Sequence, residues 1–347
     1  MTEESRRTDN LPKHLLFKLA GIIVLAGSLV LGWLIMDFDA FRDRPLNVAP
    51  QGERIQVRPG MTLSQLAASL QARGILDRAR YLSWLARIKH VDSRIKAGEY
   101  IIKGNVLPEG LLVLLTEGKV VQHSVTIVEG QTFRDLRKRL KETSDLKQTL
   151  PDKSDPEIMA ALGHADEQPE GRFLPETYYF PLGDTDLDVL KRAYDAMTRF
   201  MDDVWPSRAP DLPIQTPYEA LIMASIVEKE SARADERPLI AGVFMRRLKI
   251  GMRLQTDPTV IYGLGDRFDG DLRTRDLRTD TPYNSYTRDG LPPTPIALPG
   301  REAILAALHP ADGDALFFVS RGDGSHEFSA TLEAHNSAVR KYQLKAK

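Results

Sequence analysis

Two apolar stretches of different character punctuate this chain. Residues 19–36, Leu19 through Met36, carry no charge. A helix of ~17–25 such residues crosses a bilayer. A cleaved signal peptide would have a shorter apolar core and small residues at its end. Here Trp33-Leu34-Ile35-Met36 leads straight into Asp37-Phe38-Asp39, which predicts an uncleaved anchor. The second stretch runs from Tyr218 to Val227 and is apolar on nearly every helical face, which predicts a buried helix. Pro217 after Thr216 gives it a start, and a further helix is expected from Leu187 to Trp205.

Between these stretches a local pattern occurs twice. Val57-Arg58-Pro59-Gly60-Met61-Thr62-Leu63-Ser64-Gln65-Leu66 recurs as Ile127-Val128-Glu129-Gly130-Gln131-Thr132-Phe133-Arg134-Asp135-Leu136. Alternating Ile55 and Val57 predict a strand, Gly60 a turn, and Thr62 the cap of a helix from Leu63 to Leu70. Val125, Ile127 and Thr132 repeat the plan. Gly98-Glu99-Tyr100-Ile101-Ile102 predicts a strand that closes the first unit. The first copy with this segment resembles a LysM-like module, a family that binds N-acetylglucosamine-containing polymers such as peptidoglycan. The tail predicts a strand from Leu316 and, after Thr331, a helix from Leu332 to Lys347.

The boundaries that follow are a tail over 1–18, an anchor over 19–36 and a linker over 37–52, the last for its charges, Pro45, Pro50 and Gly52. A LysM-like module covers 53–120 and a larger mixed domain 121–347. The expected class is α+β, with helices and short sheets. Arg6, Arg7, Lys13 and Lys18 precede the span. Arg42 and Arg44 follow it among Asp37, Asp39 and Asp43. That asymmetry predicts a cytoplasmic N-terminus, with the remainder of the chain on the far side of the cell membrane.

The 347 residues suffice for two or three domains, and 47 basic against 48 acidic residues give no electrostatic case for nucleic acid. Without cysteine there is no disulfide framework, thiol nucleophile or Cys-based zinc site. His309, His326 and His335 lack a helical metal spacing, so neither metal nor cofactor is expected.

The second apolar stretch ends in Glu228-Lys229-Glu230. A carboxyl group at the end of a buried helix loses hydration, which raises its pKa and suits it to general-acid work. Glu228 shares a helical face with Leu221, Ala224 and Ser225, and Glu230 with Met223, Ile226 and Val227, so spacing does not choose between them. Downstream, Leu254-Gln255-Thr256-Asp257-Pro258, Thr281-Pro282-Tyr283-Asn284-Ser285-Tyr286-Thr287 and Gly290-Leu291-Pro292-Pro293 set Tyr, Asn, Gln and Asp on rigid turns. Aromatic rings stack on pyranose faces while amides and carboxylates bond hydroxyls, so these loops suit a sugar groove.

Taken in order, ASIVEKES, GMRLQTDPTVIYGLG, PYNSYT and GLPPTPIALPG resemble the YceG-like family of endolytic murein transglycosylases. Thr294 and Leu298 depart from the family pattern, and Ser231 and Ser285 stand for Thr. The resemblance implies an anchored enzyme with Glu228 as its acid, and glycan contacts from Gln255, Asp257, Tyr262, Tyr283 and Asn284. It would cut between N-acetylmuramic acid and N-acetylglucosamine and leave 1,6-anhydro ends without a cofactor. It implies peptidoglycan strands as substrate, termination of nascent strands, and peptidoglycan synthases as partners. The competing reading is a non-catalytic peptidoglycan-binding scaffold for those synthases.

Overall fold

The structure, a computed structural model, describes residues 13–231 and 233–344. Most of the expected tail, with Arg6 and Arg7, lies outside the described residues. The chain divides into two units, Met1–Val121 and Gln122–Lys347.

In the first unit, helix α1 (Lys13–Arg42) carries the apolar run, and Ile22, Leu25 and Leu29 on it are exposed. Its stretch from Phe17 to Arg42 is long and apolar enough to cross a membrane. The helix does not end where the charges begin. Phe38 and Phe41, three residues apart and so on one helical face, pack against Tyr81 with ring centroids 5.6 Å away in each case. Phe41 and Leu46 are buried in the unit's core. The expected linker over 37–52 is therefore corrected: its charges concealed an apolar stripe that joins α1 to the folded unit.

That unit continues through β1 (Glu53–Val57), α2 (Leu63–Ala72), α3 (Ala79–Ile88), β2 (Gly98–Ile102) and α4 (Pro108–Glu117). The strands pair antiparallel, with Glu53 opposite Ile102 and Val57 opposite Gly98. Strand alternation turns Ile55, Val57, Tyr100 and Ile102 inward onto Leu66, Leu70, Leu82 and Leu115. Thr62 caps α2 reciprocally with Gln65.

The second unit opens with β3 (Gln122–Thr126), α5 (Phe133–Glu142), α6 (Asp155–Leu162), β4 (Thr177–Pro181) and α7 (Asp186–Val204). Here the repeated pattern forms the same local structure, with Gly130 left-handed at φ 74° and Thr132 capped reciprocally with Asp135. β3 pairs antiparallel with β4, a strand 51 residues away at Thr126 and Thr177.

Next come α8 (Pro217–Glu230), α9 (Arg237–Lys249), α10 (Asp257–Leu264), α11 (Thr274–Arg278) and α12 (Arg301–Leu308). Every residue from Ala220 to Val227 is buried, so α8 is the core helix its composition predicts. α9 and α12 pack against it. The Ser225 hydroxyl in its middle is satisfied: Oγ donates to Ile222 O at 2.7 Å and accepts from Ile296 N at 3.0 Å. The chain closes with a hairpin of β5 (Phe317–Ser320) and β6 (His326–Ser329), then α13 (Leu332–Val339). The expected long C-terminal helix is shorter: past Val339 it widens into a π-helical turn over Arg340–Leu344, and residues 345–347 lie outside the described residues.

Because α8 is enclosed on all sides, its core has little room to relax. Ile226→Ala is expected to cost about 2–5 kcal/mol and lower the melting temperature of the second unit by calorimetry. An unchanged transition would mean the helix is not the centre of that core.

Candidate functional site

Glu228 and Glu230 sit in the last turn of α8. Two residues apart on a helix, they point ~200° away from each other. Their surroundings differ accordingly.

Glu228 faces the loop that enters α12. Its Oε1 accepts from Arg237 Nη2 at 2.8 Å and its Oε2 accepts from the Gly300 backbone N–H at 2.9 Å. The side chain is 5% exposed and that of Arg237 9%. A β-carbon at position 300 would meet the end of the half-exposed Glu129 side chain, which would have to move aside. Burial holds the Glu228 pKa above its ordinary value, against the Gly300 N–H and the Arg237 charge and with help from the Glu129 charge. Both oxygens are engaged, and freeing them would take from the buried Arg237 guanidinium its nearest carboxylate and leave it Glu129 at 4.0 Å. This differs from the expectation that Glu228 meets the substrate.

Glu230 opens instead on a cleft of about 530 Å³, lined by Arg247, Gln255, Thr256, Asp257 and Tyr286 among others. It accepts a hydrogen bond from the Thr256 hydroxyl. Burial raises its pKa; the Thr256 bond lowers it, and the charge of Asp257 raises it further. A half-buried carboxyl group whose pKa is raised, beside a cleft, has the environment of a general acid.

The loops around this cleft are tied together by side chains. Gln255 adopts a left-handed backbone with φ 49°, and its N–H donates to Ser285 O at 3.1 Å. Thr256 N donates to Ser285 Oγ at 3.0 Å, and Thr259 Oγ1 lies 2.8 Å from the same oxygen. Tyr286 donates its hydroxyl to Asp257 Oδ1 at 2.6 Å. Arg247, buried on α9, donates to Leu316 O at 2.7 Å and to Leu254 O, which fixes the cleft's far wall.

Asn284 is corrected as a glycan contact. It is fully buried, and its amide donates to the carbonyls of Asp276, Leu277 and Thr279 while its Oδ1 accepts from Tyr286 N. No polar atom of it is left for a ligand. It shapes the turn that presents Tyr286.

Tyr262 and Tyr283 belong to a second cleft, of about 690 Å³. Tyr262 lies five residues beyond Asp257, about 140° around α10. The two tyrosine rings meet edge to face at 4.9 Å. Tyr262 donates to Glu170 Oε2 at 2.9 Å, and the Phe133 N–H at the start of α5 donates to Glu170 Oε1 at 2.9 Å. Glu170 is 6% exposed, and burial pushes its pKa up to about 7, against those two hydrogen bonds. Gly171, left-handed at φ 78°, has no space for a β-carbon against Pro295 and lets the 170–175 segment pass beneath that loop.

Gln255 and Asp257 are thus brought together with Glu230, while Tyr262 and Tyr283 stand with Glu170 and Glu228 stands apart from both clefts. Sequence reasoning assigned no role to Glu170, Arg237 or Arg247. Among the described residues no group of three histidine or carboxylate side chains is placed to hold a metal ion.

A model of the YceG-like family matches residues 55–341. The chain is 29% identical over 307 residues to a Bacillus subtilis protein named endolytic murein transglycosylase, covering 83% of this chain and 84% of that one. It is 26% identical to a Streptococcus pneumoniae protein of the same name, of whose length it spans 57%. The crystal structure of a YceG-like protein from Listeria monocytogenes superposes with a TM-score of 0.52 at 28% identity, over 83% of this chain and 99% of that one.

The folded-state pKa of Glu170 lies above its ordinary value of 4.5, so the folded state holds a proton that the unfolded chain releases. Stability from this group is full below about pH 4.5 and is lost as pH rises through about 7. The loss is on the order of 3 kcal/mol. Glu170→Gln is expected to flatten the fall in melting temperature between pH 5 and 8. An equal fall in the variant would refute the assignment.

Proposed function

The chain belongs to the YceG-like family, and from that premise we propose that it is a membrane-anchored endolytic lytic transglycosylase. It cuts the bond between N-acetylmuramic acid and N-acetylglucosamine inside peptidoglycan strands and leaves 1,6-anhydro ends. The observation that carries this reading is the Glu230 carboxyl group, pushed towards its protonated form at the edge of a cleft that also presents Gln255, Asp257 and Tyr286.

The acid in this reading is Glu230 rather than Glu228. Glu230 donates its proton to the glycosidic oxygen as the C1–O bond breaks and positive charge develops at C1. The resulting carboxylate then takes the proton of the muramic acid C6 hydroxyl, whose oxygen attacks C1 of the same sugar. The proton returns to Glu230, no water is consumed, and one carboxyl group suffices. A hydrolase would use a second carboxylate with a water or a covalent intermediate. Burial raises the Glu230 pKa, and Asp257, held by the Tyr286 hydroxyl, sets a negative charge near it that raises it further. Activity falls as pH rises through the raised Glu230 pKa, because the donor form is then lost.

Tyr262 and Tyr283 serve in this reading as a stacking wall for more distant sugars of the strand. The segment 53–120 acts as a LysM-like glycan-binding module. α1 holds the enzyme at the membrane, its N-terminus cytoplasmic and the remainder outside. There it meets nascent strands, ends their growth and works beside peptidoglycan synthases.

The test is a digest of purified peptidoglycan read by mass spectrometry. Wild type is expected to release anhydro-ended fragments. Glu230→Gln is expected to lose at least about 100-fold of the rate, the scale of a general-acid contribution. Glu228→Gln is expected to keep turnover and lose stability. Hydrated reducing ends would make the enzyme a muramidase and bring Asp257 in as a catalytic group. Sacculus binding without fragments would favour the scaffold reading.

A further inference from the structure

Helix α3 has two faces. Tyr81, Leu82, Leu85 and Ala86 are buried in the first unit's core. Arg80, Trp84, Arg87 and Ile88, at the i, i+4, i+7 and i+8 positions of the other face, are exposed, with Trp84 42% and Ile88 63% accessible. An indole, an isoleucine and two guanidinium groups on one stripe match neither a buried face nor an ordinary solvated one.

The same helix is clamped to the end of the apolar span. Asp37 is the first charged residue after Met36. Its Oδ2 accepts from the Tyr81 hydroxyl at 2.6 Å and its Oδ1 lies 3.1 Å from Arg78 Nη2, just before α3. The Phe38 ring lies 6.5 Å from that of Trp84, and Tyr81 and Trp84 are 5.3 Å apart. Phe38 follows Met36 by two residues, about 3 Å along the helix axis. Each headgroup layer is about 5–7 Å thick. A membrane that ends at Met36 therefore has Trp84 beside its headgroups.

We propose that α3 is a membrane-surface element: Trp84 and Ile88 enter the boundary between headgroups and acyl chains, and Arg80 and Arg87 reach lipid phosphates. Tryptophan is favoured at that boundary because its ring is apolar and its N–H polar. Arginine stems cover apolar surface while their heads stay with the phosphates. Three neighbouring acids, Asp39, Asp77 and Glu109, are paired with Arg42, Arg44 and Lys89. The occupant of the stripe is the lipid surface, and its role is to hold the first unit at one tilt against the bilayer that α1 crosses. The inference rests on the reading of α1 as a membrane anchor.

The experiment uses the full chain in vesicles of phosphatidylethanolamine and phosphatidylglycerol doped with brominated lipid. Trp33→Phe with Trp205→Phe leaves Trp84 as the single indole, and Trp84→Phe with Trp205→Phe leaves Trp33. Trp84 emission is expected to shift to shorter wavelength and to be quenched most by bromines near the headgroup. Adding Arg80→Glu and Ile88→Glu is expected to abolish that quenching while leaving that of Trp33. An unquenched Trp84 beside a quenched Trp33 would overturn the proposal with the anchor intact. If neither is quenched, the anchor reading fails and the proposal falls with it.

Discussion

A helix without a polar face has to be covered on every side, and α8 is covered by α9, α12 and the loop around Ile296. Each of its large apolar side chains contributes about 1.5–3 kcal/mol by leaving water. That burial fixes where the helix ends. Its last turn emerges between two walls, and the two carboxylates there inherit opposite neighbourhoods from one geometric fact, the ~200° between positions two apart.

The contrast between them lies in their partners. Glu228 has a charged partner, Arg237, and the Gly300 N–H, although burial and the nearby Glu129 still hold its pKa above the ordinary value. Removing one partner from such a pair costs about 3–5 kcal/mol. Burial of Glu230, with the Asp257 carboxylate near it, outweighs the hydrogen bond from Thr256, so its neutral form is favoured. One group holds the end of α8 to the α12 loop. The other has its protonated form favoured beside an open cleft. Glu170 repeats the second situation with Tyr262, where burial outweighs two hydrogen bonds.

Much of this was legible in the chain. The apolar run of α8, its Thr216 cap and Pro217 start, and both copies of the strand–Gly–Thr–helix pattern appear in the structure with the expected residues. Local signals carry these features, because a cap or a period needs only neighbours in sequence. The site was less legible because its pairings are not local. Arg237 meets Glu228 across nine residues and Gly300 meets it across 72. Asn284 reads as a sugar ligand in sequence, yet its amide is consumed by three carbonyls of its own turn. Phe38 and Phe41 were hidden among charges that mimic a linker.

The central claim is that the scissile bond lies against Glu230 and not Glu228. A crystal structure of the Glu230→Gln variant with an N-acetylmuramic acid–N-acetylglucosamine oligomer tests it directly. The glycosidic oxygen is expected within about 2.6–3.2 Å of the residue 230 side chain, between Gln255 and Asp257, with the Glu228–Arg237 pair closed. An oligomer whose scissile bond instead lies beside Glu228, with that pair opened, would contradict the account.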